Sequence, residues 1–153
     1  MQIPDRSVVL ASVMLPAQAN PQGTVHGGEI MKMMDSAAGV AAIKYATINM
    51  VTARVDELQF LLPVHIADFV TCTGTVVYVG HTSLEVFVTV DAENLRGHTG
   101  TKRALEAYFT MVAIDKDGRP TPVPTTFTPE TPEEIAQWEY VAARRARARA
   151  KRQ

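Results

Sequence analysis

The sequence predicts an α+β fold in which an antiparallel sheet of about five strands wraps around one long apolar helix, with a second helix at the C-terminus. Three observations lead there. Residues 28–46 (GEIMKMMDSAAGVAAIKYA) consist of helix formers and are apolar around most of the helical circumference. Five short segments rich in β-branched and aromatic residues accompany this helix, one before it and four after it. The run Thr131-Pro132-Glu133-Glu134 then opens a last helix, with a capping threonine, proline at the first helical position and glutamate three residues on. A helix apolar on most sides must be covered, and the sheet is the layer available to cover it.

Each element has its own justification. Residues 7–15 (SVVLASVML) form a strand that Pro16 ends. Residues 16–28 hold Asn-Pro and three glycines and form a loop. In the central helix, Glu29, Lys32 and Ser36 make one narrow polar stripe, and Gly39 marks close backbone packing. Residues 50–62 alternate with Val51, Ala53 and Val55 on one face, then Leu58, Phe60 and Leu62 in the opposite phase, which implies a bulge near Asp56. Residues 68–79, 83–91 and 102–114 are three more strands. The middle one sets Leu84, Val86, Val88 and Val90 against Ser83, Glu85, Phe87 and Thr89, and Gly80-His81-Thr82 turns the chain into it as an antiparallel hairpin. Residues 119–132 carry five prolines and are expected to be extended. Because a sheet on one helix leaves edges and a face open, a homo-oligomer is expected.

Composition sets the outer limits. With 153 residues, 46% of them hydrophobic and 20% charged, the chain has the material for one domain, 1–153, with a core over 8–125 and the C-terminal helix and basic tail over 131–153. No apolar stretch approaches a membrane span, and no secretion signal is expected at the start. A single cysteine, Cys72, fits a reducing cytoplasm and excludes a multi-cysteine metal site. His26, His65, His81 and His98 lack metal-ligand spacing among themselves, so no metal is expected. The net charge of −1 conceals an acidic body and a basic tail holding six of the fifteen cations, from Arg144 to Arg152. The tail is the place for an anionic partner, although it also reads as a solvated, fraying helix end favoured by the helix dipole. With no aromatics interleaved, nucleic acid is not its expected partner.

The residue that breaks a rule is Asp35. It falls on the helix with Met31, Ala38 and Ala42, away from the polar stripe, where a carboxylate is expected to be at least partly buried and to need a partner or a task. It is equally an aspartate bonded to the preceding loop or a catalytic carboxylate. The loop before it, Asn20-Pro21-Gln22-Gly23 and His26-Gly27-Gly28, enters a helix N-terminus whose first N–H groups have no partners. That arrangement suits an oxyanion and is also a common way to begin a helix.

The run A-N-P-Q-G-T-V-H-G-G-E-I-M-K-M-M-D-S-A-A-G resembles the hotdog-fold acyl-CoA thioesterases of the cytosolic acyl-CoA hydrolase type. So do V-G-H-T-S-L-E-V, A-Y-F-T-M-V-A-I-D and the proline- and arginine-bearing end, and the likeness runs from about residue 8 to residue 147. The resemblance implies hydrolysis of acyl-CoA to free fatty acid and coenzyme A, by a dimer, often assembled to a hexamer, with sites shared between subunits. It implies Asn20 and Asp35 as a catalytic pair from opposite subunits, with Asp35 as general base or nucleophile and Asn20 orienting water. Backbone N–H groups at Gly27 and Gly28 would hold the oxyanion. Coenzyme A would be met by Gly80, Thr82 and Ser83 and by Arg144 and Arg145, with His26 nearby. Coenzyme A is then substrate and product rather than cofactor. The alternative is a non-enzymatic acyl-CoA or nucleotide-binding sensor, which the presence of both Asn20 and Asp35 beside the glycine loop disfavours.

Overall fold

The computed structural model describes residues 5–152, so residues 1–4 and 153 of the expected domain lie outside it. In chain order the elements are β1 (Ser7–Val13), α1 (Gly27–Ala46), β2 (Met50–Phe60), β3 (Phe69–Val79), β4 (Ser83–Glu93), β5 (Thr101–Ala113) and α2 (Pro132–Lys151). The strands form one antiparallel sheet in the order β1-β3-β4-β5-β2. This is the expected five-stranded sheet on one long helix, with β3 and β4 paired as the expected hairpin.

Small side chains let α1 sit close to the sheet. Ala37, Ala38, Ala41 and Ala42 are fully buried, together with Met34. At Gly74 on β3, a Cβ would come within 2.9 Å of the Ala37 carbonyl oxygen, so only glycine permits this approach. The inward residues of β4 and β5, Leu84, Val86, Val88, Val90, Phe109 and Met111, complete the core beneath the helix. Truncating a residue such as Phe109 would cost about 3–5 kcal/mol, because the rigid surroundings could not close the cavity.

The helix is less enclosed than its composition suggests. Lys32, Asp35, Ser36, Val40 and Ile43 are exposed along one side of α1, and β2, at the sheet edge, is exposed along most of its length. Five strands cover only one side of the helix, so within one chain the other side stays open. Leu61, Leu62 and Phe60 add exposed apolar surface at the end of β2. The bulge is where the phase switch placed it: the β2–β5 register shifts between Asp56 and Gln59, and Glu57 lies in the left-handed region at φ 56°.

The opposite face of the sheet carries α2. Trp138 packs on Tyr78 with ring centroids 5.2 Å apart, Tyr140 packs on Tyr108 at 5.8 Å, and Val141 is fully buried. The expected cap is present: Thr131 Oγ1 accepts from Glu134 N, and the Glu134 carboxylate accepts from Thr131 N. Helix α2 continues past Arg145 to Lys151, with most residues of its last turns exposed. The side chains that dock α2 on the sheet lie before these turns, at Trp138, Val141, Arg144 and Arg145. No helix among the described residues is long and apolar enough to cross a membrane.

Candidate active site

Two polar clusters and one larger cavity account for the residues singled out in the sequence. The first cluster forms where the loop after β1 enters α1. Asn20 organises a tight turn there: its Oδ1 accepts from Gln22 N and Thr24 N, both at 3.0 Å, and its Nδ2 donates to Thr24 Oγ1 at 2.9 Å. Gly23 makes the turn possible at φ 85°. With Oδ1 occupied by two backbone donors, the capacity left to Asn20 is the second N–H of its amide.

His26 is the N-cap of α1, and its Nδ1 accepts the Gly28 N–H at 3.1 Å. This changes the expected pair of oxyanion donors: Gly28 N–H is already engaged by a side chain of its own chain. Gly27 N–H has no hydrogen-bond partner among the described residues and lies at the positive end of the helix. A groove of about 370 Å³ holds Asn20 and Gly27 together, walled by Phe60, Leu62 and Leu105. The Phe60 ring is 3.3 Å from where a Cβ at Gly27 would lie, so any side chain there would displace it.

The second cluster is Asp35 with Thr52. Asp35 is exposed rather than partly buried as expected, because the face of α1 that carries it is the one the sheet leaves open. Thr52 Oγ1, on β2, donates to Asp35 Oδ1 at 2.6 Å. Eight residues of helix separate Gly27 from Asp35, about 12 Å along the axis at 1.5 Å per residue. Asp35 is not among the residues of the groove that holds Asn20 and Gly27. Within one chain the two clusters therefore stay apart.

The cavity, about 620 Å³, lies on the other face of the sheet, between α2 and strands β2, β3, β4 and β5. It brings together Gly80, Thr82, Ser83, Arg144 and Arg145, which the sequence placed far apart. Arg145 Nη2 donates to Ser83 Oγ at 2.6 Å, and a Cβ at Gly80 would crowd that same nitrogen at 3.2 Å. Both arginines bind the fully buried Glu85: Arg144 through Oε1, and Arg145 through Oε2 at 2.7 Å. His26 lies outside this cavity, at the α1 entrance. Burial holds the Tyr108 phenol above its ordinary pKa under this cluster, partly offset by the Gln137 hydrogen bond.

Thr52 and Glu85 were not singled out as site residues in the sequence. The available signal for Glu85 was a charge near the start of a valine-rich strand. For Thr52 there was none, since threonine is ordinary in a strand.

A profile of the thioesterase superfamily matches residues 22–97. The chain is 35% identical to the rat cytosolic acyl coenzyme A thioester hydrolase over 90% of its own length, and spans 36% of that longer protein. It is 35% identical to the acyl-CoA thioester hydrolase YciA of Salmonella typhimurium over 79% of this chain and 92% of that one. Among solved structures, an apo-hexameric acyl-CoA thioesterase is similar at TM-score 0.87 and 32% identity, covering 95% of this chain and 92% of its own. An acyl-CoA hydrolase of Staphylococcus aureus in complex with butyryl coenzyme A and coenzyme A is similar at TM-score 0.83 and 29% identity, covering 95% and 88%. Alanine variants of the Staphylococcus protein replace an asparagine, an aspartate and a threonine. Those three positions fall at the same intervals along that chain as Asn20, Asp35 and Thr52 here. With nearly the whole Salmonella hydrolase covered and the hotdog architecture reproduced along the chain, this protein belongs to the thioesterase superfamily.

Proposed function

We propose that the chain hydrolyses acyl-CoA thioesters to free fatty acid and coenzyme A, in a homodimer whose sites join Asn20 and Gly27 of one copy to Asp35 of the other. The observation that carries this reading is the pair of separated half-sites: free N–H donors in one groove, and a held carboxylate on an open helix face. The open side of α1 and the apolar end of β2 supply surface for the second copy, and the hexameric relative supports assembly of such dimers into a hexamer. A reducing cytoplasm suits the lone thiol of Cys72.

The thioester oxygen would accept the Gly27 N–H and the remaining Asn20 amide N–H, so charge developing on oxygen meets fixed donors at a helix N-terminus. Gly28 would join them only when the His26 ring turns away. Asp35 would take a proton from water, whose oxygen adds to the carbonyl carbon. Collapse of the tetrahedral species breaks the C–S bond, and the proton passes to the departing thiolate. Direct attack by Asp35, giving an anhydride that water then opens, is the other course open to the same carboxylate. Thr52 would fix Asp35 in either case.

The phosphates of coenzyme A would occupy the 620 Å³ cavity beside Gly80, Thr82, Ser83, Arg144 and Arg145. Strand β2 links the two regions, giving Thr52 to Asp35 on one face and Ala53, Arg54 and Asp56 to the cavity. Free-thiol release from a panel of acyl-CoAs of different chain length tests the reading, with Asp35→Asn as control. Turnover in the wild-type protein and its loss in the variant are expected. Absence of release across the panel would overturn it.

A further inference from the structure

Building on the proposed coenzyme A site, we infer that Glu85 is a positioning residue for substrate binding, fixing Arg144 and Arg145 as the floor of the anion cavity and leaving Arg149 and Arg152 to meet phosphate. Glu85 sits near the start of β4 with no solvent exposure, where a carboxylate is tolerated only if its oxygens are satisfied. They are: Oε1 accepts from Arg144, and Oε2 accepts from Arg145 Nη1 and from Thr110 Oγ1, both at 2.7 Å. Each guanidinium also lies over a ring, Arg144 on Tyr108 at 4.7 Å and Arg145 on Tyr78 at 4.9 Å. The second nitrogen of Arg145 reaches Ser83.

Two adjacent cations repel, and without the carboxylate between them both long side chains would gain entropy and hydration by swinging outward. One arginine would suffice to clip α2 to the sheet. With two on Glu85, and with Asp56 both bonded to Arg54 and 4.0 Å from Arg144, three arginines share two carboxylates and positive charge remains at the cavity floor. Around the whole cavity five arginines, Arg54, Arg144, Arg145, Arg149 and Arg152, face two carboxylates, Asp56 and Glu85. Arg149 and Arg152 have no ion-pair partner among the described residues. The floor is thus preorganised and the rim is unpaired, a division that lowers the ordering cost of binding a polyanion.

The positioning role has a sign that charge alone does not share. Were Glu85 only a negative charge near phosphate, Glu85→Gln would strengthen coenzyme A binding by removing repulsion. As a positioning residue, its loss weakens binding. Titration calorimetry of coenzyme A on the full-length protein, with acyl-CoA kinetics, is the experiment. For Glu85→Gln we expect Kd for coenzyme A and KM for acyl-CoA to rise about tenfold, with kcat within about twofold. Thr110→Val keeps every charge but loosens Glu85, and should weaken binding in the same direction by less. It also decides the matter if Glu85→Gln fails to fold. Arg149→Ala/Arg152→Ala should weaken binding and flatten its salt dependence. A rim variant that binds weakly beside Glu85→Gln or Thr110→Val that binds as well as wild type, or better, overturns the positioning role and spares the cavity reading. So does a lowered Tm with unchanged Kd in Glu85→Gln, which marks a mere helix clip. If all three variants bind coenzyme A as the wild type does, the cavity is not its site.

Discussion

Thr52 on the edge strand β2 holds Asp35 on helix α1 through a 2.6 Å hydrogen bond between its hydroxyl and the carboxylate Oδ1. The bond spans two elements of one chain and fixes which way the carboxylate faces on an otherwise open surface. Met111 Sδ, 3.4 Å from the same hydroxyl, packs behind it.

Asp35→Asn should nearly abolish thioester hydrolysis while the fold survives, because the amide keeps the size but neither takes a proton nor attacks. Thr52→Val should lower kcat by about 10–100-fold with little change in KM, as expected for losing one hydrogen bond to a charged group. Steady-state kinetics with circular dichroism check both. Full turnover in folded Asp35→Asn would remove Asp35 from the chemistry.

Subunit mixing tests the half-sites. Asn20→Ala and Asp35→Ala proteins should each be inactive alone and regain part of the wild-type rate after exchange, since every mixed dimer holds one intact site. Heterodimers shown by mass spectrometry, yet inactive, would contradict a shared site. Asn20→Ala should also lower Tm modestly, because its side chain closes the turn at Gly23.

The α2 cap makes stability depend on acid. Glu134 accepts backbone N–H bonds from Glu130 and Thr131 and lies near Arg6, and the first of these does most to hold its carboxyl below the ordinary glutamate range. Its folded pKa is depressed, so its contribution is complete above the unfolded pKa and is lost as pH falls through the folded one. Between about pH 5 and pH 3 the wild type should lose more stability than Glu134→Gln. Parallel thermal melts decide it, and identical slopes would refute the cap's role.

Cys72 should be inert in the native protein. Burial pushes its thiol up to about 12, with Asp91 adding to the effect, and the side chain has no exposed surface. A thiol reagent at pH 8 should modify it only after denaturation, because the thiolate is the reacting form. Rapid native labelling would show that β3 opens readily.

By itself the sequence determined the elements and their order. Periodicity is a local property, and here each strand and helix is long enough to display it, down to the phase switch at Asp56 and the cap at Thr131. The family likeness marked Asn20 and Asp35 in the same way, through a contiguous run. Only the tertiary structure decided what lies between distant positions. It set Asp35 on an open face, because five strands cover one side of α1. It joined Thr52 to Asp35 across seventeen residues, and seated Glu85 beneath two arginines about sixty residues away. It also gave the Gly28 N–H to His26, since a cap's choice of partner depends on a side-chain rotamer that residue type leaves open. Pairings of this kind arise from the register of the sheet and the docking of α2, which no periodicity along the chain encodes.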